Sequence, residues 1–183
     1  KDFDSAKDVL NDAIDNLVLV GADYSKVDSI KAEAEKVLAS DNYTKDYYTE
    51  ATRATFDKAN KALNDLADDL TILEQNKVDD AIELLTEAIN GLTLKGADYS
   101  KLDVVKKEAE KVLISDNYTK GHYTEESKAL FDEAYEVLSS LADNLTIIDQ
   151  GMVDEVVKAL DTAIKGLTLK TEEPGQIVKP NEP

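Results

Sequence analysis

Residues 78–92 read VDDAIELLTEAINGL, and residues 153–167 read VDEVVKALDTAIKGL. Val78, Ile82, Leu85, Ile89 and Leu92 recur at steps of three and four, which places them on one face of an α-helix. Val153, Val157, Leu160, Ile164 and Leu167 do the same. Residues 3–17, FDSAKDVLNDAIDNL, fit the same frame. There Leu10, Ala13, Ile14 and Leu17 stand where the other two copies have Leu85, Ala88, Ile89, Leu92 and Leu160, Ala163, Ile164, Leu167. One amphipathic helix is written three times, at a period of about 75 residues.

The repeat extends well beyond this helix. GADYSK begins at Gly21 and Gly96, SDNYTK at Ser40 and Ser115, LTI at Leu70 and Leu145, and GLTLK at Gly91 and Gly166. About 60% of aligned positions are identical without a gap. Two further amphipathic segments lie inside each copy. A first, helix A, carries Val27, Ile30, Ala34, Val37 and Leu38, repeated as Leu102, Val105, Ala109, Val112 and Leu113. A second, helix B, carries Phe56, Ala59, Leu63, Leu66 and Leu70, repeated as Phe131, Ala134, Leu138, Leu141 and Leu145. With the opening segment as helix C, the chain reads C–A–B–C–A–B–C.

Punctuation agrees with helix. All three prolines, Pro174, Pro180 and Pro183, lie at the C-terminus. The glycines Gly21, Gly91, Gly96, Gly121, Gly151, Gly166 and Gly175 read as breaks between periodic segments. Ser25 with Asp28, and Ser100 with Asp103, form weak capping boxes ahead of helix A. Thr49 and Thr124 precede helix B, each followed by Glu in the first turn. No segment of comparable length alternates in twos, so no sheet is expected.

The expected fold is all-α: tandem three-helix bundles arranged as an elongated rod. Its parts are a leading helix (1–20), bundle 1 (21–95), bundle 2 (96–170) and a Pro-containing linker (171–183). A lone helix of this length is marginal in water, so the leading helix must pack on something, and helix A that follows is one option. Grouping as A–B–C or as C–A–B is left open.

The bulk numbers exclude several functions. The chain of 183 residues has no Cys, which removes disulfides, thiolate zinc sites and Cys nucleophiles together. Its formal net charge of −18 opposes nucleic-acid phosphates and anionic lipid headgroups. It has no Trp, three Phe and one Met, too few to line a large aromatic pocket. No long apolar run is present, so no direct membrane insertion is expected. It begins at Lys1 without an initiator Met, and is expected to be a piece of a longer protein.

At this point the residues resemble a known family. ADYSKVDSIKAEAEKVL, then YTEAT (48–52) or YTEES (123–127), then Val78, Leu85, Ala88, Ile89 and Leu92 of helix C look like the FIVAR module, found in various architectures. The resemblance covers residues 21–170 as two copies, and the leading helix looks like the last third of another. It implies a small helical-bundle module of secreted or wall-attached multimodular proteins of Gram-positive bacteria, beside carbohydrate-active enzymes, proteases and adhesins. It brings no catalytic residues and no agreed ligand residues.

The candidate sites are few. Asn42, Asn117 and Asn144 each open an N-x-S/T acceptor pattern, but a helix A to helix B corner explains SDNYTK better. His122 aligns with Tyr47, so it is no duplicated function, and without a second His or a Cys it supports neither zinc nor a Ser–His pair. Asp65, Asp68 and Asp69, and Asp79, Asp80, Glu83 and Glu87, read as solvated helix faces rather than an acid–base pair or a Ca²⁺ loop. Seven of eight tyrosines lie near helix ends: Tyr24, Tyr43, Tyr47, Tyr48, Tyr99, Tyr118 and Tyr123. Tyr24 and Tyr99 are expected to pack at the joints. Tyr43, Tyr47 and Tyr118 are the candidates for contact with a partner.

No catalytic, metal or cofactor site is expected, and the protein is expected not to be an enzyme. The expected role is a structural spacer or stalk of a larger secreted or wall-attached bacterial protein. Its partners would be the flanking domains of the same polypeptide, with a host protein or glycan as a further candidate. The alternative is a protein- or glycan-binding module of an adhesin or a carbohydrate-active enzyme, which requires an exposed apolar or aromatic patch shared by both copies.

Overall fold

The computed structural model describes residues 2–171. Of the linker expected at 171–183, all but Thr171 lies outside these residues. The described residues form nine α-helices and no strand. They are α1 (Asp2–Asp15), α2 (Val27–Ala39), α3 (Asp41–Thr44), α4 (Glu50–Asn64), α5 (Gln75–Asn90), α6 (Ser100–Leu113), α7 (Asp116–Thr119), α8 (Glu125–Ser140) and α9 (Gln150–Lys165). The chain divides into two compact units, Lys1–Leu94 and Lys95–Pro183.

The first unit closes its core with α2, α4 and α5. Val27, Ile30 and Ala34 meet Phe56, Ala59 and Leu63, and Val78, Ala81, Leu85 and Ala88. The second unit does the same with α6, α8 and α9, through Leu102, Val105 and Ala109, Phe131, Ala134 and Leu138, and Val153, Val156 and Leu160. Each fully buried Leu, Val or Phe contributes about 1.5–3 kcal/mol. The grouping is A–B–C. On helix C the centre of the buried stripe is displaced from the sequence expectation. Ala81 and Ala88 are buried, while Ile82 and Ile89 are only half-buried at its edge. The small residues face the neighbours, and the larger ones seal the side.

Helix B ends earlier than its periodicity suggests. Helix α4 stops at Asn64 with Asp65 as its cap, and α8 stops at Ser140. Leu66, Leu70, Leu141 and Leu145 therefore lie beyond the helix, yet still pack on the cores. A tyrosine holds this non-helical stretch. The Tyr24 hydroxyl donates to the Ala67 carbonyl (2.6 Å) and accepts the Leu70 N–H (3.2 Å). Tyr99 repeats both bonds with Ala142 (2.8 Å) and Leu145 (3.1 Å).

The caps also differ from the Ser-based boxes expected at helix A. Ser25 lies two residues ahead of α2, and its N–H is taken by the Asp23 carboxylate at 2.8 Å. Asp98 and Ser100 repeat the contact. That bond is the main reason the Asp23 and Asp98 carboxyls sit below their ordinary range. True reciprocal caps occur instead ahead of helix C, on the 3-10 turns Ile72–Glu74 and Ile147–Asp149. There Thr71 and Thr146 donate both N–H and hydroxyl to Glu74 and Asp149. Gly151 is another departure: it sits inside the first turn of α9 rather than between helices.

Both ends of each unit are pinned by isolated antiparallel bridges. Gly21 pairs with Thr71 and Tyr48 with Leu94; Gly96 pairs with Thr146 and Tyr123 with Leu169. The Gln75 amide extends the first of these. It accepts the Asp23 N–H (2.6 Å) and donates to the Asp23 carbonyl (3.1 Å). Gln150 repeats this on Asp98 at the same distances. The chain thus enters each unit beside the start of helix C, and leaves beside the start of helix B, at the other end of the helices.

The corner after α3 needs a left-handed residue. Asp46 takes φ 57°, and Gly121 takes φ 69° at the equivalent place after α7. Nothing lies within 4 Å of a Cβ built on Gly121. Gly121→Ala should therefore cost only the backbone term, about 1–2 kcal/mol. A thermal melt followed by circular dichroism should show the transition of the second unit lowered by roughly 4–8 °C per kcal/mol lost.

The leading helix departs most from expectation. Every residue from Phe3 to Val20 is exposed, so α1 does not pack on the helix A that follows.

Candidate functional site

SDNYTK forms the corner between helices A and B in both units. Ser40 and Ser115 cap the single turns α3 and α7, each hydroxyl accepting the N–H of the Tyr three residues on, at 3.3 Å. This capping aims the tyrosine ring back at the core. Tyr43 meets Phe56 edge-on, with centroids 5.8 Å apart at 68°, and Tyr118 meets Phe131 at 5.7 Å and 68°. A cation lies over the same ring: the Arg53 guanidinium is 4.3 Å from the Tyr43 centroid, and the Lys128 ammonium 4.4 Å from that of Tyr118. Each hydroxyl donates to a carboxylate at 2.6 Å, Asp57 in the first unit and Asp132 in the second.

The electrostatics follow from these contacts. The bond to Asp57, then burial, raises the Tyr43 hydroxyl above its ordinary value of 10.0, and Asp132 and burial do the same for Tyr118. Arg53 is raised by its bonds to Asp46 and Tyr43. Lys128 is raised chiefly by Asp132, which it meets at 2.6 Å. Burial works to raise Asp132, but Lys128 and Tyr118 outweigh it and hold the carboxyl low.

A raised phenol favours the folded state only while protonated. Its contribution is fully present below the unfolded value near 10 and is lost as pH rises through the folded value. Tyr43→Phe should therefore flatten the alkaline loss of stability of the first unit as pH rises from about 10. Arg53 keeps its charge in this range, so the difference between the urea titrations of the parent and the variant reads the phenol. An unchanged alkaline slope in the variant would refute the assignment.

Tyr43 and Tyr118, the partner-contact candidates, are thus half-buried and hydrogen-bonded within their own unit. Tyr47 is half-buried too, its backbone N–H donating to the Asn42 carbonyl at 2.8 Å. His122 is exposed, and its ring lies 3.4 Å from the Asn117 side chain. Of the acceptor asparagines, Asn144 is exposed and Asn42 and Asn117 are half-buried. Asp65, Asp68, Asp69, Asp79, Asp80, Glu83 and Glu87 are all exposed. Among the described residues no group of three His, Asp or Glu side chains could hold a metal ion, and no helix is long and apolar enough to cross a membrane.

Sequence reasoning passed over one surface. In the second unit, Leu130 and Val137 of α8 and Met152 of α9 are each about half exposed, at 58%, 46% and 54%. Alanines 134, 159 and 163 line the groove between the two helices, and Glu133, Glu155 and Lys158 also border it. The first unit has Thr55, Ala62 and Lys77 at the positions of Leu130, Val137 and Met152, none of them a large apolar side chain. The three large side chains of this patch are therefore particular to the second unit, while the first unit exposes Leu84, at 56%, at the position of the groove's Ala159. Comparing the aligned copies position by position would have found it.

Compared with family models, with curated proteins and with solved structures, the chain matches none of them.

Proposed function

We propose that this chain is a non-catalytic spacer in a secreted or wall-attached bacterial protein, built of FIVAR-like repeats that hold neighbouring domains apart. One observation carries the reading. Within each unit the chain enters at one end of the three helices and leaves at the other, both ends being pinned by bridges. A module so threaded adds length with each repeat, whereas one whose termini meet does not. The acidic surface fits the role, because like charge discourages lateral association of such stalks.

Small-angle scattering with in-line mass determination on the full chain tests this. A compact monomer of this length has a radius of gyration near ~16 Å. Three helix lengths end to end, α1 and one helix of each unit at 14, 16 and 16 residues, span roughly 70 Å at about 1.5 Å per residue and give a value of ~20 Å or more. An extended monomer is expected. A compact or dimeric particle would overturn the reading.

The second reading, a protein- or glycan-binding module, draws on the apolar patch of the second unit. Its three large side chains have no large apolar counterpart in the first unit, which exposes Leu84 at the position of Ala159 instead, so the second copy would be the main binder.

A further inference from the structure

Helix α1 presents a row of apolar side chains with nothing against it. Phe3 is 85% exposed, Leu10 60% and Ile14 54%, and Leu17, two residues past the end of the helix, 79%. Ala6 and Ala13, between them in register, are exposed as well. An isolated helix of this length with such a face is marginal in water, and apolar rows of this size mark interaction surfaces.

The repeat states what covers that row. Phe3 stands at the position of Val78 and Val153, Ala6 at that of Ala81 and Val156, and Leu10 at that of Leu85 and Leu160. All six of these counterparts are buried, four of them at 0% exposure. In both units the cover has the same chemistry: an antiparallel helix pair that presents an alanine from helix A (Ala34, Ala109) and a phenylalanine from helix B (Phe56, Phe131). Both such pairs in this chain are already filled, by α5 and α9. A second copy of the chain therefore offers no vacant pair.

We infer that the apolar face of α1 is a docking surface for a further A–B helix pair of this repeat type, joined ahead of α1 as α2 and α4 stand ahead of α5. With it, α1 becomes the third helix of a complete unit. This rests on the aligned positions and their burial, and is independent of the spacer reading, which concerns only how far the units extend.

The frame makes the test direct. Residue 1 aligns with residue 76, so a copy of residues 21–75 placed immediately before Lys1 restores the repeat in register. A copy of residues 96–150 does so with an independent sequence. Hydrogen exchange of the α1 amides is read in the parent chain and in both extended chains. In the parent, α1 should exchange close to the rate of an unprotected helix. In at least one extended chain it should slow by about 100-fold or more, and Leu10→Asp in that chain should abolish the protection. Fast exchange of α1 in both extended chains would overturn the inference. So would a parent chain that dimerises with α1 already protected, since the occupant would then be a second copy.

Discussion

Phe131→Ala should unfold the second unit at 25 °C while the first unit stays folded. The Phe131 side chain is fully buried, at 0% exposure. It holds two rings, Tyr118 edge-on at 5.7 Å and Tyr135 stacked at 6.3 Å. Truncating a buried Phe costs about 3–5 kcal/mol, because the transfer energy is lost and the cavity does not close. A single core of some 75 residues rarely supplies more than about 3–5 kcal/mol in total, so the loss matches the whole stability of the unit. Each core is closed by its own three helices, which is why the damage should stay local. The far-ultraviolet helix signal should fall by roughly half. Amide resonances of α2, α4 and α5 should remain dispersed while those of α6, α8 and α9 collapse. Phe56→Ala should give the mirror image, with a somewhat smaller loss, since Asn60 stands where the second unit has the stacked Tyr135. A cooperative transition of unit 2 moved by less than about 1 kcal/mol would refute the packing account. Loss of both units together would show that the cores are coupled.

Much of this architecture was legible because burial follows period. The Phe56 and Phe131 stripes, the corner at SDNYTK and the absence of sheet all follow from steps of three and four and from a repeated string. What stayed hidden has three physical causes. Leu63, Leu66 and Leu70 continue the helical spacing past the last helical residue, Asn64, so periodicity alone extends α4 too far. The stop is set by Tyr24, more than 40 residues away in sequence, whose hydroxyl satisfies backbone groups that would otherwise continue the helix. The corner tyrosines read as free contacts because tyrosine chemistry suits an interface and a core lid alike. Only the reach of Tyr43 to Phe56 and Asp57, and of Tyr118 to Phe131 and Asp132, distinguishes them. The exposure of α1 has a different cause again. Its sequence is that of a core helix, but burial belongs to the neighbours as much as to the helix.

Leu85→Asp and Leu10→Asp turn that last point into the sharpest contrast the chain offers. The two leucines occupy one repeat position, and their surroundings differ completely: Leu85 is at 0% exposure and Leu10 at 60%. At residue 85 the substitution removes a fully packed side chain and leaves an unpaired carboxylate among Val78, Phe56 and Leu63. Losing the packing alone costs about 2–5 kcal/mol. An unsatisfied buried charge adds several more unless it takes up a proton. The expected result is complete loss of the first unit at neutral pH, seen as disappearance of its urea transition. Some recovery is expected as pH falls toward the carboxyl range and the new Asp is neutralised. At residue 10 the same substitution lies in water, in a helix that touches neither core. Its effect on either unfolding transition should stay within about 0.5 kcal/mol. A large effect at residue 10 in the parent chain would mean that α1 has a partner there already. A small effect at residue 85 would mean that α5 is not the third wall of the core. Equal chemistry at equivalent positions with opposite outcomes would locate stability in the three-helix unit rather than in the helix that carries the repeat.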